Sequence, residues 1–198
     1  MSRIICFIVL LVASMSCNLQ YDARPRNPSW GFFTTKMNGQ EWNKTYRNGY
    51  QVVQGLTASG AAGSAMPCKR EYYIINAELY TSEGYIRQNL YLKKVPIVKG
   101  KYKVIPYIMD HCNESDPVYG ILYTWIDDGC VIGDEYKILE SENNFLQIES
   151  YNEKSKEIKG TFQLTFVLER EGSDHTLPDT LRFREGKFHT KIMDLRRK

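Results

Sequence analysis

Apolar residues in this chain recur at every second position, in short runs broken by polar or glycine-bearing turns. The clearest run is 159–169, where Phe162, Leu164, Phe166 and Leu168 point one way and Gln163, Thr165 and Glu169 the other. Over 71–81, Tyr73, Ile75, Ala77 and Leu79 share a face in the same manner. A period of two belongs to a half-buried strand, and no stretch carries the 3.6-residue period of an amphipathic helix. The same reading predicts strands at 31–36, 50–53, 86–95, 101–109, 119–126, 134–140, 145–151, 180–183 and 187–192. Asn38-Gly39 closes the first of them as a hairpin turn. A single open sheet of this kind would leave an apolar face wet. The expected fold is therefore all-β, an antiparallel β-sandwich or closed barrel of roughly ten to eleven short strands.

Composition agrees with strands, because the 14 Tyr, 8 Phe and 3 Trp pack well on a pleated surface. The 198 residues hold one domain of ordinary size, expected over 30–198. The formal charge is +3, and the basic residues are scattered; the tight group is Arg196, Arg197 and Lys198. Nucleic-acid binding asks for a basic stripe or a reading motif, so no nucleic-acid partner is expected. The small-residue stretch 55–65 reads as a loop, since no Lys-Ser/Thr follows in the spacing of a phosphate-binding loop.

The amino terminus has the layout of a secretory leader over 1–16. Arg3 supplies a positive start, residues 4–13 are an unbroken apolar run, and Ser14 and Ser16 precede Cys17. The apolar run is too short to cross the roughly 30 Å core of a bilayer. Ser14-Met15-Ser16-Cys17 resembles the lipobox of bacterial lipoproteins, with Ser14 where a leucine is usual. The resemblance implies a lipid anchor at Cys17, carrying acyl chains such as palmitate, and hence a membrane partner. Residues 17–29, with Pro25 and Pro28 among polar neighbours, read as an extended linker.

Three further segments resemble small Bacteroidota lipoproteins of unknown function. They are Phe33-x-x-Lys36-x-Asn38-Gly39-x-x-Trp42, then Ile148-x-x-Tyr151 leading to Ile158-Lys159-Gly160-Thr161-Phe162-x-Leu164-x-Phe166, then Leu181-Arg182-Phe183-x-Glu185-Gly186-Lys187-Phe188. The resemblance implies a compact β-sandwich or barrel on a lipid anchor in the bacterial cell envelope, expected at the outer membrane. It carries no activity and no functional residues with it.

Cys6 leaves with the leader and Cys17 is the expected anchor, so Cys68, Cys112 and Cys130 remain. An exported chain favours a disulfide over a metal site. If 71–126 forms four successive antiparallel strands, Cys68 and Cys130 fall at one end and Cys112 at the other, so Cys68–Cys130 is the expected pair. His111, Cys112, Glu114 and Asp116 lack the paired spacing of structural zinc. Asp127, Asp128, Asp134 and Glu135 lack the order of a calcium-binding loop. No metal or other cofactor is expected. His111, His175 and His189 sit in no nucleophile motif, so no catalytic residue is assigned.

The tyrosine surplus is the feature that points to recognition. Tyr119, Tyr123 and Trp125 fall on one strand face, and Tyr72 and Tyr80 lie opposite the apolar face of theirs; exposed rings stack on sugars and anchor interfaces. Asp179-Thr180-Leu181 resembles a short bacterial O-glycosylation acceptor. The reading is a non-enzymatic envelope lipoprotein that binds a glycan, a small ligand or a protein partner. Its alternatives are a secreted hydrolase built from distant loops and a structural component of a surface complex.

Overall fold

The computed structural model describes residues 29–45, 48–58, 72–108 and 117–193. Eleven strands follow one another: β1 (Phe32–Met37), β2 (Gln40–Glu41), β3 (Tyr50–Ala58), β4 (Tyr72–Tyr80), β5 (Ile86–Val95), β6 (Gly100–Pro106), β7 (Val118–Ile126), β8 (Val131–Ile138), β9 (Phe145–Asn152), β10 (Glu157–Arg170) and β11 (Thr180–Met193). A 3-10 turn, Trp42–Lys44, follows β2. The two final segments predicted around 180 and 190 are one strand. Glu185, at φ 56, kinks that strand without ending it, and the register against β1 and β10 shifts nearby.

The ladders close into a ring, β11–β3–β4–β5–β7–β8–β10 and back to β11. β10 pairs one edge with β9 over Glu157–Gln163 and with β8 over Phe166–Arg170. β6 fills the remaining space between β7 and β9. Two short contacts, β11–β3 and β6–β7, are parallel, so the pairing is not wholly antiparallel. The interior is filled from every side by Leu79, Leu90, Leu122, Tyr136, Leu146, Phe162, Phe166, Phe183 and their neighbours. At roughly 25 cal/mol per Å² of apolar surface removed from water, this interior is the main favourable term of folding.

β1 and β3, which both lie beside β11, are tied to each other by a side chain. The Gln51 amide donates to the Phe33 carbonyl at 2.9 Å and accepts from the Phe33 N–H at 3.2 Å, reproducing the two bonds of an antiparallel pair. Trp30 N–H adds a bond to the Val53 carbonyl, and Gly31, at φ 88, lies so near the His189 carbonyl that a Cβ would stand 1.8 Å from its oxygen.

The register fixes two ends. Met193 pairs with Leu56, Leu56 with Ile74, Tyr73 with Val95 and Lys93 with Tyr119. The near end therefore gathers the start of β4, the β5–β6 turn and the finish of β11. The far end gathers the β4–β5 turn, the β7–β8 turn and the 171–179 loop.

The four-strand meander expected over 71–126 does not form. β5 pairs directly with β7, and β6 and β7 run parallel. Both climb from the near end to the far end, so Cys130, after β7, lies at the far end while β4 begins at the near end. The argument that put Cys68 and Cys130 at one end thus loses its premise. Cys68 and Cys112 lie outside the described residues, as do Cys17, residues 1–16 and His111.

Candidate functional site

Alternation sets one side chain in two on the outside of the ring. On β4 and β5, Ile75, Ala77, Leu79, Leu90 and Leu92 face the core, so Asn76, Glu78, Tyr80, Asn89 and Tyr91 face out. Glu78 is nevertheless buried. Asn76 Nδ2 and Asn89 Nδ2 donate to Glu78 Oε1 at 3.1 and 2.9 Å, and the Tyr80 hydroxyl donates to Oε2 at 2.7 Å. Burial first, and then the Glu78 carboxylate, drives the Tyr80 phenol well above its ordinary range. Tyr80 stacks on Tyr50 with ring centroids 5.2 Å apart.

Tyr119, Tyr123 and Trp125 do share a face of β7, but they differ in what they offer. Tyr119 is buried, with the Tyr107 ring 5.9 Å away and the Lys94 ammonium over it at 4.8 Å. Tyr123 is half-buried beside Tyr91, and burial followed by the Glu135 charge pushes its phenol up to about 12. Trp125, at the far end of the row, lines a cleft of about 730 Å³. The Tyr72 side chain lies outside the described residues, and Tyr80 belongs to the Glu78 cluster.

Three segments build the cleft. The β4–β5 turn supplies Thr81, Ser82 and Glu83, β7 and its turn supply Trp125, Ile126 and Asp127, and the 171–179 loop supplies Asp174 and Thr176. Arg87 completes the wall and donates from Nη1 to the Trp125 carbonyl at 3.3 Å. The Ser82 hydroxyl, 2.7 Å from Glu83, holds that carboxyl below the usual range. The Trp125 Nε1 is shielded from solvent and donates to no group among the described residues.

The 171–179 loop is fastened across the mouth of the ring. Asp134 faces inward from β8 and is wholly buried. Its Oδ1 accepts the Gly172 N–H at 2.9 Å and its Oδ2 lies 3.0 Å from His175 Nδ1. A Cβ on Gly172 would stand 2.4 Å from the Gly133 carbonyl carbon, so only glycine lets the loop approach this closely. Leu177 then plugs into the core. The hydrogen bond that His175 donates to Asp134 is the first cause that raises the His175 pKa.

A buried aspartate behind a histidine is also the layout of a general base. Here His175 Nε2 faces Asp179 Oδ1 at 3.4 Å, and the pair serves to fasten the loop. Asp134 is thereby occupied, and Glu135 pairs with Arg170 at 3.1 Å. Among the described residues no group of three His, Cys, Asp or Glu is placed to hold a metal ion. Sequence reading pointed to Trp125 through its aromatic face. It did not single out Glu83, Arg87 or Asp174, which come together only when three separate turns meet.

Comparison with known proteins finds no matching family model, no significantly similar curated protein and no significantly similar solved structure.

Proposed function

We propose that this chain is an envelope lipoprotein, acylated on Cys17, that binds a glycan in the far-end cleft. The observation that carries the reading is Trp125 on the wall of a 730 Å³ cleft beside Arg87 and the carboxylates of Glu83, Asp127 and Asp174. A sugar presents an apolar ring face bordered by hydroxyls. An indole supplies the stacking surface, while carboxylates accept from hydroxyls and a guanidinium donates to them. Three carboxylates against one guanidinium favour a neutral or amino sugar over an acidic one. The small residues of the three turns leave the cleft open for a chain of sugar units.

The test is isothermal titration of neutral, amino and acidic oligosaccharides into the chain from Asn18 onward, which retains every described strand. Binding of a neutral or amino oligosaccharide, weakened at least tenfold by Trp125→Ala, supports the reading. Heat from no oligosaccharide, or equal affinity in Trp125→Ala, overturns it.

A further inference from the structure

From Gly84 to Met109 the sequence holds six basic residues (Arg87, Lys93, Lys94, Lys99, Lys101 and Lys103) and no acidic one. Spaced along two strands, they look scattered; the fold collects five of them at the β5–β6 corner of the near end. Lys99 sits in the turn, and Lys101 and Lys103 point outward from β6, alternating with Tyr102 and Val104, which pack toward the core. Among the described residues no carboxylate pairs with Lys99, Lys101 or Lys103; the nearby Glu157 is taken by His189 at 3.0 Å. The other carboxylates of this region, Glu149 and Glu153, make no ion pair with them.

Apolar side chains stand among these charges. Val98, at the tip of the turn, is 66% exposed, Ile108 is 53% exposed and Tyr107 is 39% exposed. They are among the most exposed large apolar residues of the described chain. The turn is held rigid by the Tyr102 hydroxyl, which donates to the Val98 carbonyl at 2.8 Å. The Lys93 ammonium lies 4.1 Å over the Tyr107 ring and the Lys101 ammonium 3.9 Å over Phe145. Basic residues around projecting apolar side chains are what a surface that rests on anionic headgroups requires.

Charge complementarity selects an anionic surface as the occupant, and the chain's own course permits it. Ser29 precedes β1, whose first pair, Phe32–His189, lies toward the finish of β11, and its hydroxyl accepts from the Val53 N–H of β3 at 3.0 Å. The twelve steps from Cys17 to Ser29 span at most about 40 Å. An anchor at Cys17 therefore keeps Ser29 within about 40 Å of the bilayer. We propose that the near end docks on anionic phospholipid, with Val98 entering the headgroup layer and Lys99, Lys101 and Lys103 neutralising phosphates. The orientation, which rests on the acylation of Cys17, turns the far-end cleft away from the membrane.

The test uses the chain from Asn18 onward, without acyl groups, in flotation with vesicles of phosphatidylcholine alone or with one third phosphatidylglycerol. Binding is expected to the anionic vesicles only and is abolished in 1 M salt, where screening reaches about 3 Å. Removing the charges in Lys99→Gln/Lys101→Gln/Lys103→Gln is expected to weaken binding about fivefold per lysine, or about a hundredfold together. Lys36→Gln/Lys44→Gln/Lys137→Gln removes the same charge elsewhere and is expected to leave binding within about threefold. Circular dichroism establishes that each variant is folded.

No binding to anionic vesicles, equal binding to neutral ones, or equal losses in the two triple variants overturns the proposal. So does retention on a sulfated polysaccharide without vesicle binding. The mass of the processed amino terminus tests acylation separately. An acylated chain whose soluble form ignores anionic vesicles refutes the docking face, whereas vesicle binding by an unacylated chain refutes the anchor and leaves the face.

Discussion

The bond between Trp42 and Gln88 can be tested against elementary energetics, because both side chains sit inside the ring. Trp42 Nε1 donates to Gln88 Oε1. Gln88 is 0% exposed, alternates with Leu90 and Leu92, and its Nε2 meets no partner among the described residues. Trp42 also packs edge-on against Phe33 and Phe183, at 5.8 and 5.6 Å between centroids. In Trp42→Phe the Gln88 amide is left unpaired in an apolar interior, a cost of about 1–3 kcal/mol. The vacated volume, about 40 Å³, adds about 1 kcal/mol, so the expected loss is about 2–4 kcal/mol. Gln88→Met strands the indole N–H but removes an unmet donor, for a net loss of about 0–2 kcal/mol. The double variant pays for the cavity alone and is expected to lose about 1 kcal/mol. The coupling between the two sites is then about 1–5 kcal/mol. Urea unfolding followed by circular dichroism measures all four proteins, with a common slope as the condition for comparison. Losses below 0.5 kcal/mol in Trp42→Phe, or a double variant equal to the sum of the singles, would refute the reasoning.

Gln51→Met removes both bonds that tie β3 to Phe33 and is expected to cost about 1–3 kcal/mol in the same assay. Gly172→Ala forces the 171–179 loop off Gly133 and is expected to cost about 1–3 kcal/mol; the glycan heat should fall with it, since Asp174 and Thr176 move. His175 has a raised pKa in the folded state, so its contribution is complete below the unfolded value near 6.5 and is lost as pH rises through the folded one. The stability of the unaltered chain relative to His175→Gln should therefore be larger at pH 5.5 than at pH 9, and an unchanged difference would remove His175 from the fastening of the loop.

The strands were legible because a period of two is a local property. The faces of 71–81 and 159–169 place Ile75, Ala77, Leu79, Phe162, Leu164 and Phe166 in the core. Partners were not legible. Nothing near Gly100 records that β6 steps aside and lets β5 pair with β7, because β6 takes its partner, β9, from 42 to 48 positions later. Glu185-Gly186 looks like a turn from composition, yet it is a bulge where the Phe162 ring lies so close over Gly186 that a Cβ would meet it at 2.5 Å. Of the aromatic row, Trp125 reaches the cleft while Tyr119 is covered, a difference set by where Tyr107 crosses. The basic corner was countable in sequence as five of the six lysines and arginines in an acid-free stretch, 84–109. It read as dispersed because strand alternation spreads charges that the fold then brings onto one corner.

The position of β11 has a consequence for the order in which the molecule can assemble. This strand touches β1, β3 and β10, and the Thr35–Arg184 bond it contributes spans 149 positions. Until residue 193 is available, β1, β3 and β10 each keep an open edge, and long-range pairing of this kind is slow. A chain delivered amino end first therefore remains an unclosed sheet until β11 has been delivered and becomes a ring with that strand. Loss of the final fourteen-residue strand would leave three exposed edges of the kind that pair with other chains.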